Sequence, residues 1–199
     1  MTENNSSDYK GLEKLNSLDR VVIRDKTKAY PSSKYVVTSP DGEVLLYAKE
    51  DSGILDKVLS GKSRSFEIDV YDTDDREVIK LRRPYTLGQD KMDVSVCGQA
   101  VAIVRKEVTF FKPVLSINDV NDKPVIRVKG PVSTTSECDF ELYSSDKKRI
   151  GAICKRWNGL TRGHSERDNF VLLLPPLDVR YKAAVIGTCF LIDFLIFEN

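Results

Sequence analysis

Residues 179–197 read Val179-Arg180-Tyr181-Lys182-Ala183-Ala184-Val185-Ile186-Gly187-Thr188-Cys189-Phe190-Leu191-Ile192-Asp193-Phe194-Leu195-Ile196-Phe197. Pro175-Pro176 stop whatever precedes the stretch, and Asp178 is placed to cap a helix. Apolar residues fall on every side of that helix instead of along one stripe, so it must be buried in protein or in lipid. Its mostly apolar part, from Ala183 to Phe197, would extend only about 22 Å at 1.5 Å per residue, against roughly 30 Å for a bilayer core. Asp193 interrupts the run, and an aspartate at mid-membrane costs roughly 2.5–3.5 kcal/mol. Length and charge therefore favour burial in protein over a membrane span, with Val185, Ile186, Phe190, Ile192, Phe194 and Ile196 as the buried helix face.

What could surround such a helix is read from the preceding residues. From Arg20 onward the pattern alternates with period two, as strands do. Candidate strands lie at 20–25, 34–38, 43–48, 65–71, 77–81, 92–96, 100–105, 114–118, 124–128, 139–143, 149–155 and 168–173. The breaks between them are turn chemistry: Pro40-Asp41-Gly42, Asp72-Thr73-Asp74-Asp75, Cys97-Gly98-Gln99, the run from Asn118 to Asp122, and Ser144-Ser145-Asp146-Lys147. One short helix is expected at 54–59, capped by Ser52. About twelve short strands suggest a sandwich or a barrel. About eight strands close on an interior that side chains fill, and a wider tube needs a plug. The mainly β reading that joins the two signals is a closed antiparallel barrel of about twelve strands around the C-terminal helix at about 179–197. Gly187 would let the wall approach that helix. The alternative is a β-sandwich with the helix on an open face.

The chain has 199 residues, 31 Lys+Arg against 30 Asp+Glu, and 41% hydrophobic content, as expected of one domain over 11–199 behind a polar, disordered tail at 1–10. A net charge of +1 argues against binding nucleic acid through bulk charge. No secretory, N-myristoylation or prenylation pattern is visible. The four cysteines, Cys97, Cys138, Cys154 and Cys189, form no CxxC pair and are expected to be free thiols in a reducing compartment.

Several stretches together resemble one family. Ala183 to Glu198, AAVIGTCFLIDFLIFE, is similar to the C-terminal signature of the phospholipid scramblases. Gly11-Leu12-Glu13, Arg82-Arg83-Pro84, Lys155-Arg156-Trp157-Asn158-Gly159 and Asp168-Asn169-Phe170 resemble further elements of that family, in the same order. The resemblance implies the Tubby-like barrel. It also implies calcium-dependent, ATP-independent, bidirectional movement of phospholipids between bilayer leaflets. That is lipid transport without covalent chemistry, placed at the cytoplasmic face of a membrane, the plasma membrane first, with a nuclear fraction in some relatives. The Pro-rich N-terminal arm of many members is absent, so SH3 and WW partners are not expected. The cysteine cluster used for palmitoylation is also missing from the region of Pro84 to Asp90.

The family's calcium loop maps onto Glu166, Asp168, Asn169 and Asp178, with Asp178 one step late by plain count. The bland reading there is an acidic turn leading into a core strand, because Val171 to Leu174 is apolar. Lys155, Arg156, Trp157 and Arg162 are the candidates for contact with a phospholipid membrane and its acidic lipids, since indole and basic groups suit an interface. A packed rim is the alternative. Lys80-Leu81-Arg82-Arg83 reads as a solvated strand end. Phe110-Phe111 could dip into lipid, although general burial preferences favour core or rim. His164 sits in a polar loop with no nucleophile and base arranged around it, so no enzyme site is read.

Overall fold

The computed structural model describes residues 12–25, 33–51, 65–85, 90–133, 138–156, 169–174 and 176–197. The expected tail at 1–10 and the helix at 54–59 lie outside them. A short helix, α1 (Glu13–Ser17), leads into twelve strands. They are β1 (Arg20–Asp25), β2 (Tyr35–Thr38), β3 (Val44–Asp51), β4 (Phe66–Asp72), β5 (Glu77–Arg83) and β6 (Lys91–Val96). Then come β7 (Gln99–Lys106), β8 (Val114–Asn118), β9 (Pro124–Lys129), β10 (Cys138–Ser144), β11 (Arg149–Arg156) and β12 (Asn169–Leu173). Each strand pairs antiparallel with its neighbour in sequence, and β12 returns to pair with β1, with Arg20 opposite Leu173. The sheet therefore closes into a barrel, which excludes the open-faced sandwich.

Alternation along the strands sorts inside from outside. On β4, Phe66, Ile68 and Val70 are buried while Glu67, Asp69 and Tyr71 stay partly exposed. Outside, Lys80 on β5 sits 3.1 Å from both Glu67 and Asp69. The wall that faces away from the core is thus charged on these strands.

The two ends of the barrel differ. At one end, five tight hairpins each contain a residue with positive φ: Gly42, Asp75, Cys97 with Gly98, Asp122 and Lys147. Each flanking pair of strands shifts register beside its turn, after Val37, Val70, Val94, Ile117 and Leu142. In four of them this is the usual combination of a left-handed residue and a bulge in hairpins of three or more loop residues; the fifth, Cys97-Gly98, is a two-residue loop with positive φ at both positions. These are the five turns that composition marked. All the odd-to-even connections, β1 to β2 through β11 to β12, lie at the opposite end and are longer.

Helix α2 (Val179–Ile192) enters at the tight-turn end and runs up the axis, and a π-helical turn (Asp193–Phe197) completes it at the long-connection end. Asp178 caps it, accepting from the Arg180 amide at 2.9 Å. Every residue from Lys182 to Ile192 is buried. Of the six helix positions expected inside, Val185, Ile186, Phe190, Ile192 and Phe194 are buried, and Ile196 is half-buried. A Cβ at Gly187 would lie 2.7 Å from Leu81 and 3.3 Å from Met92, so the missing side chain sets the helix–wall distance. At the tight-turn end Leu12 and Leu15 of the α1 segment are buried against the core. The buried Lys182 ammonium donates to the carbonyls of Leu15, Asn16 and Leu18 at 3.2, 2.6 and 2.6 Å. A cation on the last carbonyls of a short helix satisfies them and complements their dipole, so α1 is pinned to α2. Burial pushes the Lys182 pKa down.

Candidate membrane-facing end of the barrel

The apolar helix finishes in a polar clamp. Asp193 opens the π-helical turn, and its carboxylate accepts from the Tyr35 hydroxyl at 2.8 Å and from the Lys155 ammonium at 3.2 Å. Tyr35 also stacks on Phe190, with centroids 4.3 Å apart and ring planes 7° from parallel. The Lys155 ammonium lies 4.3 Å from the Phe170 ring centroid and 4.6 Å from that of Phe197. Nearby, the Arg83 guanidinium is 5.0 Å from the Phe194 ring centroid, and it pairs with Asp90. The final turn is thus held by two inward cations and one carboxylate as well as by aromatic packing. The aspartate that argues against a membrane span is the anchor of this clamp.

Two sequence expectations are corrected here. Lys155 is expected from its basic neighbourhood to face a membrane, yet its side chain is 1% exposed and points inward. It shares a strand face with the buried Ile153 two residues earlier, and period two sends both inside. Arg83, expected on a solvated strand end, is buried for the same reason, two residues after Leu81. Arg156 does face outward, pairing with Asp139 at 2.7 Å. Burial alone would raise the Asp139 carboxyl, but that pair and a bond from Cys154 outweigh it, and the group ends below its usual range. Trp157 and Arg162 lie outside the described residues, as does His164.

Of the expected calcium set, Asn169 and Asp178 are among the described residues. Glu166 and Asp168 lie outside the described residues. Asn169 begins β12 opposite Arg156, at the long-connection end. Asp178 follows β12, at the tight-turn end, and its carboxylate is engaged with the amide and guanidinium of Arg180. Five strand residues at about 3.3 Å each separate the two. Calcium takes six to eight oxygens around one point, and Asn169 and Asp178 cannot share that point. Among the described residues, Asn169 and Asp178 therefore stand at opposite ends of a strand paired on both sides.

All four cysteines are free. Burial raises the thiol pKa of each, with that of Cys154 pushed up to about 11, which leaves them protonated and weakly nucleophilic.

Phe110 and Phe111, expected in core or rim, stand 95% and 84% exposed in the connection from β7 to β8, at this same end. No described helix is long and apolar enough to cross a membrane.

A family model described as Scramblase matches residues 2–199. The chain belongs to the scramblase family. This scramblase-family chain is 31% identical to phospholipid scramblase 1 of Homo sapiens, over 95% of its own length and 66% of that protein's. It is 30% identical to phospholipid scramblase family member 5 of Homo sapiens, over 95% and 78% of the two lengths. To phospholipid scramblase 2 of Bos taurus it is 31% identical, over 94% and 71%.

Proposed function

We propose that this protein is a phospholipid scramblase-like protein, moving phospholipids between leaflets without ATP from a position at the membrane surface, on the cytoplasmic face. Family membership carries the lipid substrate. The buried helix carries the peripheral placement, because a helix that fills a barrel is not free to span a bilayer. A spanning barrel needs an apolar outer band, and the charged face built by Glu67, Asp69 and Lys80 opposes it. The calcium dependence that family membership suggests is part of this reading and is tested in the same assay.

The filled interior also favours a second reading, a peripheral lipid-binding module that moves no lipid, because no lumen remains for a headgroup to pass through. Purified protein reconstituted into vesicles with a fluorescent phospholipid separates the two. Loss of the leaflet asymmetry faster than in protein-free vesicles, with and without calcium, supports scrambling. Binding to vesicles with crossing held at the protein-free rate leaves the second reading. A calcium requirement that survives Asp178→Ala would agree with the geometry.

A further inference from the structure

The connection from Glu107 to Pro113 joins β7 to β8 at the end where α2 finishes. Single exposed apolar residues are ordinary, but here three of four consecutive positions are exposed apolar side chains: Val108 at 80%, Phe110 at 95% and Phe111 at 84%. Val132, in the β9–β10 connection at the same end, is 79% exposed. The base of the β7–β8 connection is pinned. Glu107 donates its amide to the Val114 carbonyl at 2.8 Å, and the Gly130 amide donates to the Pro113 carbonyl at 2.8 Å. Across the tip, the Thr109 hydroxyl donates to the Lys112 carbonyl. The loop, with Asp90 and Lys106, borders an open hollow of about 650 Å³ that Phe110 and Phe111 help to line.

Charge identifies the occupant. Arg127 neutralises Glu107 through its guanidinium, at 2.9 Å and by a second, shorter bond. Lys112 is exposed and makes no ion pair among the described residues. An apolar tip with a free cation and a neutralised acid matches an anionic bilayer, where rings enter the acyl boundary and the ammonium meets phosphate. We infer that Val108, Phe110 and Phe111, with Lys112, form an insertion tip that docks this end of the barrel on membranes carrying anionic phospholipids. The tip thereby turns the π-helical end of α2 toward the lipid. This inference rests on the peripheral placement proposed above and adds the surface and the orientation.

The test uses the full chain and vesicles of equal parts phosphatidylcholine and phosphatidylserine. Phe110→Ser with Phe111→Ser should lower vesicle affinity by roughly 30-fold or more, since each ring forfeits most of its transfer free energy, with the thermal unfolding midpoint unchanged. Lys112→Glu should weaken binding to these vesicles and leave binding to pure phosphatidylcholine unaltered. In a Trp157→Phe background, the indole introduced by Phe111→Trp should shift to shorter emission wavelength on vesicles and be quenched by lipids brominated on the acyl chain. An unshifted indole emission from that variant, with undiminished binding by the double serine variant, overturns the inference. So does a concentration-dependent dimer that the serine variant makes monomeric while vesicles stay unbound, because the tip would then serve a second copy. If the protein scrambles and the serine variant binds and scrambles equally well, the inference fails and the proposed function stands. If binding depends on the tip yet no lipid crosses, the inference stands and scrambling falls.

Discussion

Replacing Asp193 by alanine tests whether the polar clamp, and not apolar packing alone, holds the end of the central helix. The carboxylate serves Tyr35 at 2.8 Å and Lys155 at 3.2 Å, with side-chain exposures of 15% for Asp193 and 1% for Lys155. Removing one partner of a buried pair costs about 3–5 kcal/mol, because the other charge is left desolvated. Asp193 touches some solvent, and Lys155 keeps its contacts with the Phe170 and Phe197 rings. The low end, about 3 kcal/mol, is therefore expected. At roughly 2–4 °C per kcal/mol for a domain of this size, the midpoint should fall by about 6–12 °C. Lys155→Met on its own leaves the carboxylate with Tyr35 and should cost less. Combining the two removes the buried ammonium together with the carboxylate, so the double variant should be more stable than the sum of the single effects by at least about 1 kcal/mol. Urea unfolding of the four proteins measures this coupling, and amide exchange across the final turn shows whether its opening is local. Effects that add within about 0.5 kcal/mol would mean the carboxylate and the ammonium are neighbours that do not hold each other, and the clamp argument would be wrong.

Three further outcomes are expected. Gly130→Ala places a Cβ 2.6 Å from both the Phe140 ring and Pro113; two stiff groups this close leave no room, so the thermal midpoint should drop by the equivalent of about 1–3 kcal/mol, and an unaltered midpoint would contradict the packing. Lys182→Met strips a donor from the carbonyls of Leu15, Asn16 and Leu18; proteolysis or amide exchange should then be faster across 12–18 while the strands keep their protection, and uniform protection would show α1 needs no such pin. For Asp122, the Arg105 guanidinium and then the Asn118 amide lower the carboxyl pKa from 3.8 to about 2. The folded state thus holds fewer protons than the unfolded one in that interval, so this contribution is present above pH 3.8 and is lost as the pH falls toward 2. Asp122→Asn should flatten the acid slope of stability in that window, and an unchanged slope would separate the turn from the ion pair.

The parts of the fold that rest on periodicity are legible in the sequence. Period two locates the twelve strands, and the turn residues around Gly42, at 72–75, around Gly98, and at 118–122 and 144–147 locate the hairpins. The all-round apolar stretch locates the plug, because a helix without a polar face has nowhere else to go. The site is less legible, for two physical reasons. Charge reads as exposure, which puts Lys155 and Arg83 on the surface, although their parity with Ile153 and Leu81 already directs them inward. Their partners, Asp193 for Lys155 above all, are far away in sequence, and no local pattern announces such a pair. Hydrophobicity reads as burial, which puts Phe110 and Phe111 in core or rim, and only a closed fold could show that they project from it. Within the candidate calcium segment, Asn169 and Asp178 are described and Glu166 and Asp168 are not. Counting positions along the chain treats a segment as a loop, and β12 is a paired strand that carries its two ends apart.

The depth of helix burial constrains how any lipid could move. Val179, Val185, Ile186, Phe190, Leu191, Ile192, Phe194 and Leu195 are all buried within the barrel. At roughly 1.5–3 kcal/mol each, their burial is worth about 12–24 kcal/mol, against a net stability of about 5–15 kcal/mol for a whole domain. Withdrawing the helix into water would therefore unfold the barrel. Transfer into a bilayer would preserve the apolar environment of the helix itself, but it would leave Ile23, Val37, Ile68, Leu81, Val104 and Leu172 facing an emptied tube. That set of side chains offers no polar lining to hold water or a headgroup. A barrel that kept its strands after losing its plug would have to collapse or refill with acyl chains. The route that leaves the structure intact keeps the helix in place and perturbs the bilayer from outside, at the end that carries both the final turn and the exposed Phe110 and Phe111 rings. Scrambling by a variant whose helix is cross-linked to the barrel wall would agree with that route. Scrambling that such a cross-link abolishes, with vesicle binding retained, would require the helix to leave.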